Sequence, residues 1–201
     1  MATTIRIVDY DPRWPEFFDG YRQAIARVLG DRALGIEHIG STSVPGLAAK
    51  PIVDILLIVA DSADEGSYAT QLESAGYQLR IREPGFHEHR LFKPSAGDVN
   101  LHVLTAGCPE IERYLLFRDR LRVNAADRRR YESVKRQLAT RTWDHVDAYA
   151  TAKTGIVEEI VAAARSAGTR ENGETESEAV AAEEYHRAQK DPGGPSGKVS
   201  S

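Results

Sequence analysis

Residues 37–55 read Glu37-His38-Ile39-Gly40-Ser41-Thr42-Ser43-Val44-Pro45-Gly46-Leu47-Ala48-Ala49-Lys50-Pro51-Ile52-Val53-Asp54-Ile55, a Gly-, Ser- and Pro-rich loop set between two apolar runs. Upstream, Leu34–Ile39 has the composition of a short strand. Downstream, Ile52–Val59 lacks the apolar–polar alternation of a half-exposed strand, which places it inside a sheet covered on both faces. Asp54 interrupts that run. A carboxylate in such a strand is costly unless it is paired, ligated or at the open end, so Asp54 reads either as a salt-bridged structural residue or as the centre of a site.

Working outward, Ile5–Tyr10 alternates as a strand, and Pro12 and Pro15 punctuate the chain before a helical stretch, Phe17–Leu29, that stops at Gly30. After the central strand, Asp61–Ala75 reads as helix ended by Gly76. Three extended segments follow, Tyr77–Arg82, Glu88–Lys93 and Asp98–Leu104, the last two joined by the turn-like Pro94-Ser95-Ala96-Gly97. Pro109–Ala164 reads as three helical pieces with breaks near Asn124 and Thr142–Asp144. The fold class is therefore α/β (α+β), a mixed sheet of about five strands with flanking helices and a helical C-terminal half.

The chain of 201 residues carries a formal net charge of −4. From Ser166 to Ser201 there are seven acidic and four basic residues, and Tyr185 is the only aromatic. That composition cannot bury enough surface to offset ordering entropy. The expected division is a folded domain over 1–165 and a disordered acidic tail over 166–201, with Glu178–Lys190 able to form a transient helix. The body is left close to neutral, which argues against a general nucleic-acid footprint. Cys108 is the only cysteine, so no internal disulfide is expected. No stretch resembles a signal peptide or is long enough to span a bilayer, and the expected location is the cytoplasm.

Two features could carry chemistry. Gly40, Ser41, Thr42 and Ser43 form a loop of the kind that holds an anion on backbone N–H groups and hydroxyls, although an ordinary strand connection has the same composition. Asp54 is the second. Around them lie Glu37, His38, His89 and Arg90, and then Asn100 and His102, which share one strand face. Tyr131–Lys135 and Tyr149–Lys153 repeat one spacing on helices. Such a pair can stack a base and hold a phosphate, and helix packing with a snorkelling lysine explains it as well.

The run from Glu37 to Ile55 closely resembles the signature of the GrpB family. Val8-Asp9-Tyr10-Asp11-Pro12-Arg13-Trp14-Pro15, Asn100-Leu101-His102-Val103, Phe117-Arg118-Asp119-Arg120-Leu121-Arg122 and Tyr149-Ala150-Thr151-Ala152-Lys153 are similar to the same family. The resemblance implies a nucleotidyltransferase-like fold in a family classed by prediction as nucleotidyltransferases. Related domains occur fused behind dephospho-CoA kinase, with an accessory role suggested there. It also implies that the glycine-serine turn, here Gly40-Ser41, holds a nucleotide triphosphate, and that carboxylates on the next strand and a later one bind two metal ions.

Asp54 matches the first carboxylate. Leu56 occupies the position of the second, and Asn100 and His102 stand where a third is expected. Two functions follow from these matches and departures. In one, a magnesium or manganese ion is held by Asp54 and His102 with help from Glu37, His38 or His89. Asp54 and His102 are then catalytic, Ser41 cradles and Lys153 binds the phosphates, and Arg90 or Lys50 balances transition-state charge in a metal-dependent nucleotidyl or phosphoryl transfer. In the other, the site binds a nucleotide, a coenzyme or another phosphate-bearing molecule without transfer, or serves a protein partner.

Overall fold

The computed structural model describes residues 3–95 and 97–167, without the side chains of Val146 and Asp147. The expected tail and the stretch Glu178–Lys190 lie outside the described residues, apart from Ser166 and Ala167, which are helical. The first compact unit ends at Val161 and contains every residue of the cleft around Asp54.

The elements run β1 (Thr3–Thr4), α1 (Trp14–Leu29), β2 (Gly35–Ile39), β3 (Val53–Val59), α2 (Ala69–Ser74), β4 (Tyr77–Glu83), β5 (His89–Pro94), β6 (Val99–Thr105), α3 (Pro109–Val123), α4 (Ala125–Ala139), β7 (Thr142–Trp143) and α5 (Val146–Thr151). A last helical stretch, α6, covers 154–167. Five strands form one mixed sheet in the order β2-β3-β6-β5-β4, with β3 and β6 parallel and the other pairs antiparallel. This is the mixed five-stranded sheet with flanking helices expected of a nucleotidyltransferase-like fold.

Burial on both faces explains why β3 reads as continuous apolar sequence. Val53, Ile55, Leu57 and Val59 join Ile25 and Leu29 of α1, Leu72 of α2, and Phe92, Leu101 and Val103 in the main core. On the opposite face Leu56 packs with Ile39 and Leu104 beneath Ile111, Tyr114 and Leu115 of α3. Helix α3 covers only part of this second face. Near the start of β3 the face stays open, and Asp54 lies there with a side chain 28% exposed.

Helices also pin the glycine loop. Val44 and Leu47 are buried with Phe117 and Leu121 of α3, Tyr131 of α4, and Ile156 and Ile160 of α6. Asn124 ends α3 and caps α4, its Oδ1 accepting from the Asp127 N–H at 2.9 Å, so the break expected there has a capping cause.

The last of the three helical pieces expected after Pro109 is two, α5 and α6, separated by a turn at 152–153, and two further expectations need correction. Ile5–Tyr10 is not a strand. Pairing begins earlier, at Thr3–Thr4 with β7, and later amounts to one bridge in which Val8 exchanges backbone bonds with Ala49. The prolines at 12 and 15 turn the chain into α1 before a longer ladder can form. The helix expected over Asp61–Ala75 is a 3₁₀ turn at Glu65–Ser67 followed by the short α2, because Asp61 and Asp64 favour turns and Gly66 breaks helix. No helix among the described residues is long and apolar enough to cross a membrane.

Candidate functional site: a two-lobed cleft around Asp54

The sheet register sets the site. Asp54 lies between Ile39 on one neighbour and Asn100 on the other, while Leu56 lies beside His102. Asn100 Nδ2 donates to Asp54 Oδ1 at 2.7 Å, and His102 Nε2 stands 3.8 Å from the same oxygen. Burial acts to raise the Asp54 carboxyl. The neighbouring His102 and Asn100, with the charge of Lys153, outweigh it and hold the group below the usual carboxylate range.

A chain of side chains runs on from His102. Its Nδ1 lies 3.0 Å from Nε2 of His89, whose Nδ1 lies 2.7 Å from Glu83 Oε2. Burial lowers the His89 imidazole, against the opposing pull of Glu83, so the ring is neutral near pH 7. A neutral His89 donates Nδ1–H to Glu83 and accepts from His102 Nδ1–H. His102 thereby keeps its Nε2 on the Asp54 side, 3.8 Å from Oδ1.

Of the loop hydroxyls, only Ser41 lines the cleft. Thr42 is buried, donates to the Ile52 carbonyl at 3.2 Å, and lies 3.0 Å from His38 Nε2. Ser43 donates to the Gly40 carbonyl at 2.6 Å, and its own carbonyl accepts from Arg122. Ser41 Oγ accepts from Lys135 Nζ at 3.0 Å. Lys135 further donates to the Ala48 carbonyl and sits 4.7 Å from the centre of the Tyr131 ring. Only 2% exposed, its ammonium is pushed down to about 7 by burial, with the charge of Lys153 adding to the effect.

Ser41, Asp54 and Lys153 belong to both lobes. One, of about 490 Å³, is rich in lysine: Lys50, Lys93, Lys135 and Lys153 border it with Asn100 and Tyr149. The other, of about 300 Å³, is aromatic, with Tyr114, Phe117 and Tyr131 beside His102 and Arg113. Lys153 Nζ lies 4.6 Å from the centre of the Tyr149 ring. Burial lowers both Lys50 and Lys153.

The structure thus brings together Gly40, Ser41, Lys50, Asp54, His102 and Lys153. Other expected residues lie elsewhere or are engaged. His38 is on the α1 face, stacked on Phe18 at 4.7 Å and pushed down to about 4 by burial. Glu37 shares the Asp54 face, but Arg118 holds it at 2.7 Å. His89 has both ring nitrogens occupied. Arg90 is buried against Glu65 at 2.6 Å and does not border the cleft.

Among the described residues, no three His, Cys, Asp or Glu side chains form a group that could hold a metal ion. Leu56, fully buried, supplies no second carboxylate. The donor set does not fit a two-ion clamp. Lys135, Asn100 and the aromatic wall were not among the expected ligands, although the repeated Tyr–Lys spacing was a visible signal for the lysine.

The GrpB protein family model matches residues 4–163, and the chain belongs to the GrpB family. It is 56% identical over 158 residues to a UPF0157 protein of Halalkalibacterium halodurans, a match covering 79% of this chain and 81% of that one. The crystal structure of the conserved protein GrpB from Enterococcus faecalis aligns at TM-score 0.69 and 34% identity, over 79% of this chain and 96% of that one. A dephospho-CoA kinase of Mycolicibacterium paratuberculosis is 29% identical over 175 residues, which span 74% of this chain and 43% of the kinase.

Proposed function

We propose that the cleft binds a nucleotide or a coenzyme-like molecule, with its base in the aromatic lobe and its phosphates in the lysine lobe. One observation carries this reading: the two lobes meet at Ser41, Asp54 and Lys153, so a ring and an anionic chain joined in one ligand can occupy both. Aromatic faces stack bases of any identity, and lysines attract phosphate as point charges. The relative among dephospho-CoA kinases makes adenine-bearing coenzyme precursors a reasonable class to test, and a kinase of that type a reasonable protein partner.

Group transfer is a second reading, favoured by the imidazole of His102 beside Asp54 and its link through His89 to Glu83. His102 would accept the proton of a hydroxyl nucleophile as its oxygen bonds to phosphorus and the leaving phosphate departs. Magnesium or manganese would find one protein carboxylate, Asp54, in the cleft.

A thermal-shift panel of nucleoside mono-, di- and triphosphates and coenzyme A precursors tests the binding reading, because a ligand of the native state raises the melting temperature by mass action. A shift that is lost in Lys153→Ala supports it. Absence of any shift across the panel overturns it. Turnover of a bound labelled triphosphate, lost in His102→Gln, would establish the transfer reading.

A further inference from the structure

On the reading that the cleft binds phosphate, we propose that it takes the phosphate chain as a bare polyanion. The ammonium groups of Lys50, Lys135 and Lys153 then supply the positive charge that divalent ions would otherwise bring.

The acidic side of the site is minimal. Asp54 has one oxygen engaged by Asn100, and its other oxygen is packed against Gly40, where an added Cβ would come within 2.4 Å of Oδ2. Neither oxygen is presented to an ion with a second carboxylate across from it, since Leu56 occupies that position. One carboxylate in this setting offsets a single positive charge.

The cationic side is in excess. Lys50, Lys93, Lys135 and Lys153 border one lobe. Among the described residues these lysines form no salt bridge, whereas Arg82, Arg90, Arg113, Arg118 and Arg120 all do. Surface lysines left unpaired are unremarkable. Lys135 is different, because a buried ammonium held by a hydroxyl, a carbonyl and an aromatic face has no carboxylate within salt-bridge distance, Glu132 acting on it only from farther off. Like charges gathered in a partly desolvated lobe repel one another, and an anion relieves that repulsion.

An orphaned polar group points the same way. Tyr149 is 2% exposed and borders this lobe, yet its hydroxyl has no hydrogen-bond partner among the described residues. Such a group is usually satisfied by something absent from the protein chain itself. The lysines of the same lobe would neutralise the charge of a phosphate bound beside it. A phosphate chain already carrying a divalent ion would enter with less negative charge, and the lysines would repel the ion.

The test is isothermal titration of the full chain with ATP and with inorganic triphosphate, in EDTA and in excess magnesium. The expected result is binding in EDTA that weakens about tenfold or more with magnesium. Lys50→Ala and Lys153→Ala should each lower affinity in EDTA by about tenfold while melting within a few degrees of the parent. These two lysines are only partly buried, so their variants fold even if a Lys135 variant does not. Binding that requires magnesium overturns the inference and leaves the proposed function standing. Binding in EDTA that both lysine variants retain also overturns it. No binding of either ligand in either buffer removes the underlying reading as well.

Discussion

A β-carbon added to Gly40 would lie 2.4 Å from Oδ2 of Asp54. The glycine has φ of 70°, so its backbone occupies a region disfavoured for other residues and packs directly on the carboxylate. Turn and carboxylate are therefore one unit.

Gly40→Ala should destabilise the fold by about 2 kcal/mol, from backbone strain plus displacement of the carboxylate. Chemical denaturation measures it. A variant as stable as the parent, with unchanged ligand affinity, would show that the loop yields freely and that this contact is not a constraint.

Asn100→Asp would replace the amide donor with a second carboxylate facing Asp54 at the same 2.7 Å separation. Two carboxylates so close cannot both ionise without a proton or a cation between them. The variant should lose about 1–2 kcal/mol of stability in EDTA and regain much of it on adding manganese. Equal stability with and without the metal would argue that the flanking lysines already supply the missing charge.

Lys135 gives stability a pH dependence of defined sign. Its folded value of about 7 lies below the ordinary lysine value of 10.5, so between those limits the unfolded chain binds more protons. Stability should therefore rise with pH from about 7 to about 10.5, by on the order of 5 kcal/mol relative to Lys135→Met. Phosphate binding should move the opposite way and weaken above pH 7, as the ammonium loses its proton. Parallel pH profiles for parent and variant would mean that Lys135 has an ordinary pKa.

Arg90→Met separates a structural arginine from a ligand-binding one. Arg90 is buried and paired with Glu65, which also takes Arg82 in two bonds of 2.7 Å. Removing it should cost about 3 kcal/mol and leave nucleotide affinity unchanged. A fall in affinity without loss of stability would place Arg90 in the site after all.

The sheet was legible because β3 lacks alternation, and that marks a strand covered on both faces. Its partners β4, β5 and β6 were legible from their bounding turns. Strand order was not, because no local signal tells that β6 inserts between β3 and β5. Facing was only half legible: Asn100 and His102 share a face by simple alternation, but placing His38 opposite Asp54 required the register of β2 on β3. Arg90 illustrates the same limit. Its composition suits phosphate, and its position opposite Val103 directs it to Glu65. Lys135 was visible only as half of a helical pair, because its contact with Ser41 spans 94 positions.

That long span has a kinetic consequence. The cleft draws Ser41, Asn100 and Lys153 from distant parts of the chain, so it comes into being only when the loop, the sheet and the last helices have closed together. A molecule seated there would act as a rivet across the finished assembly. Long-range contacts that form only after the folding transition state prolong the lifetime of the native chain and do little to hasten its formation.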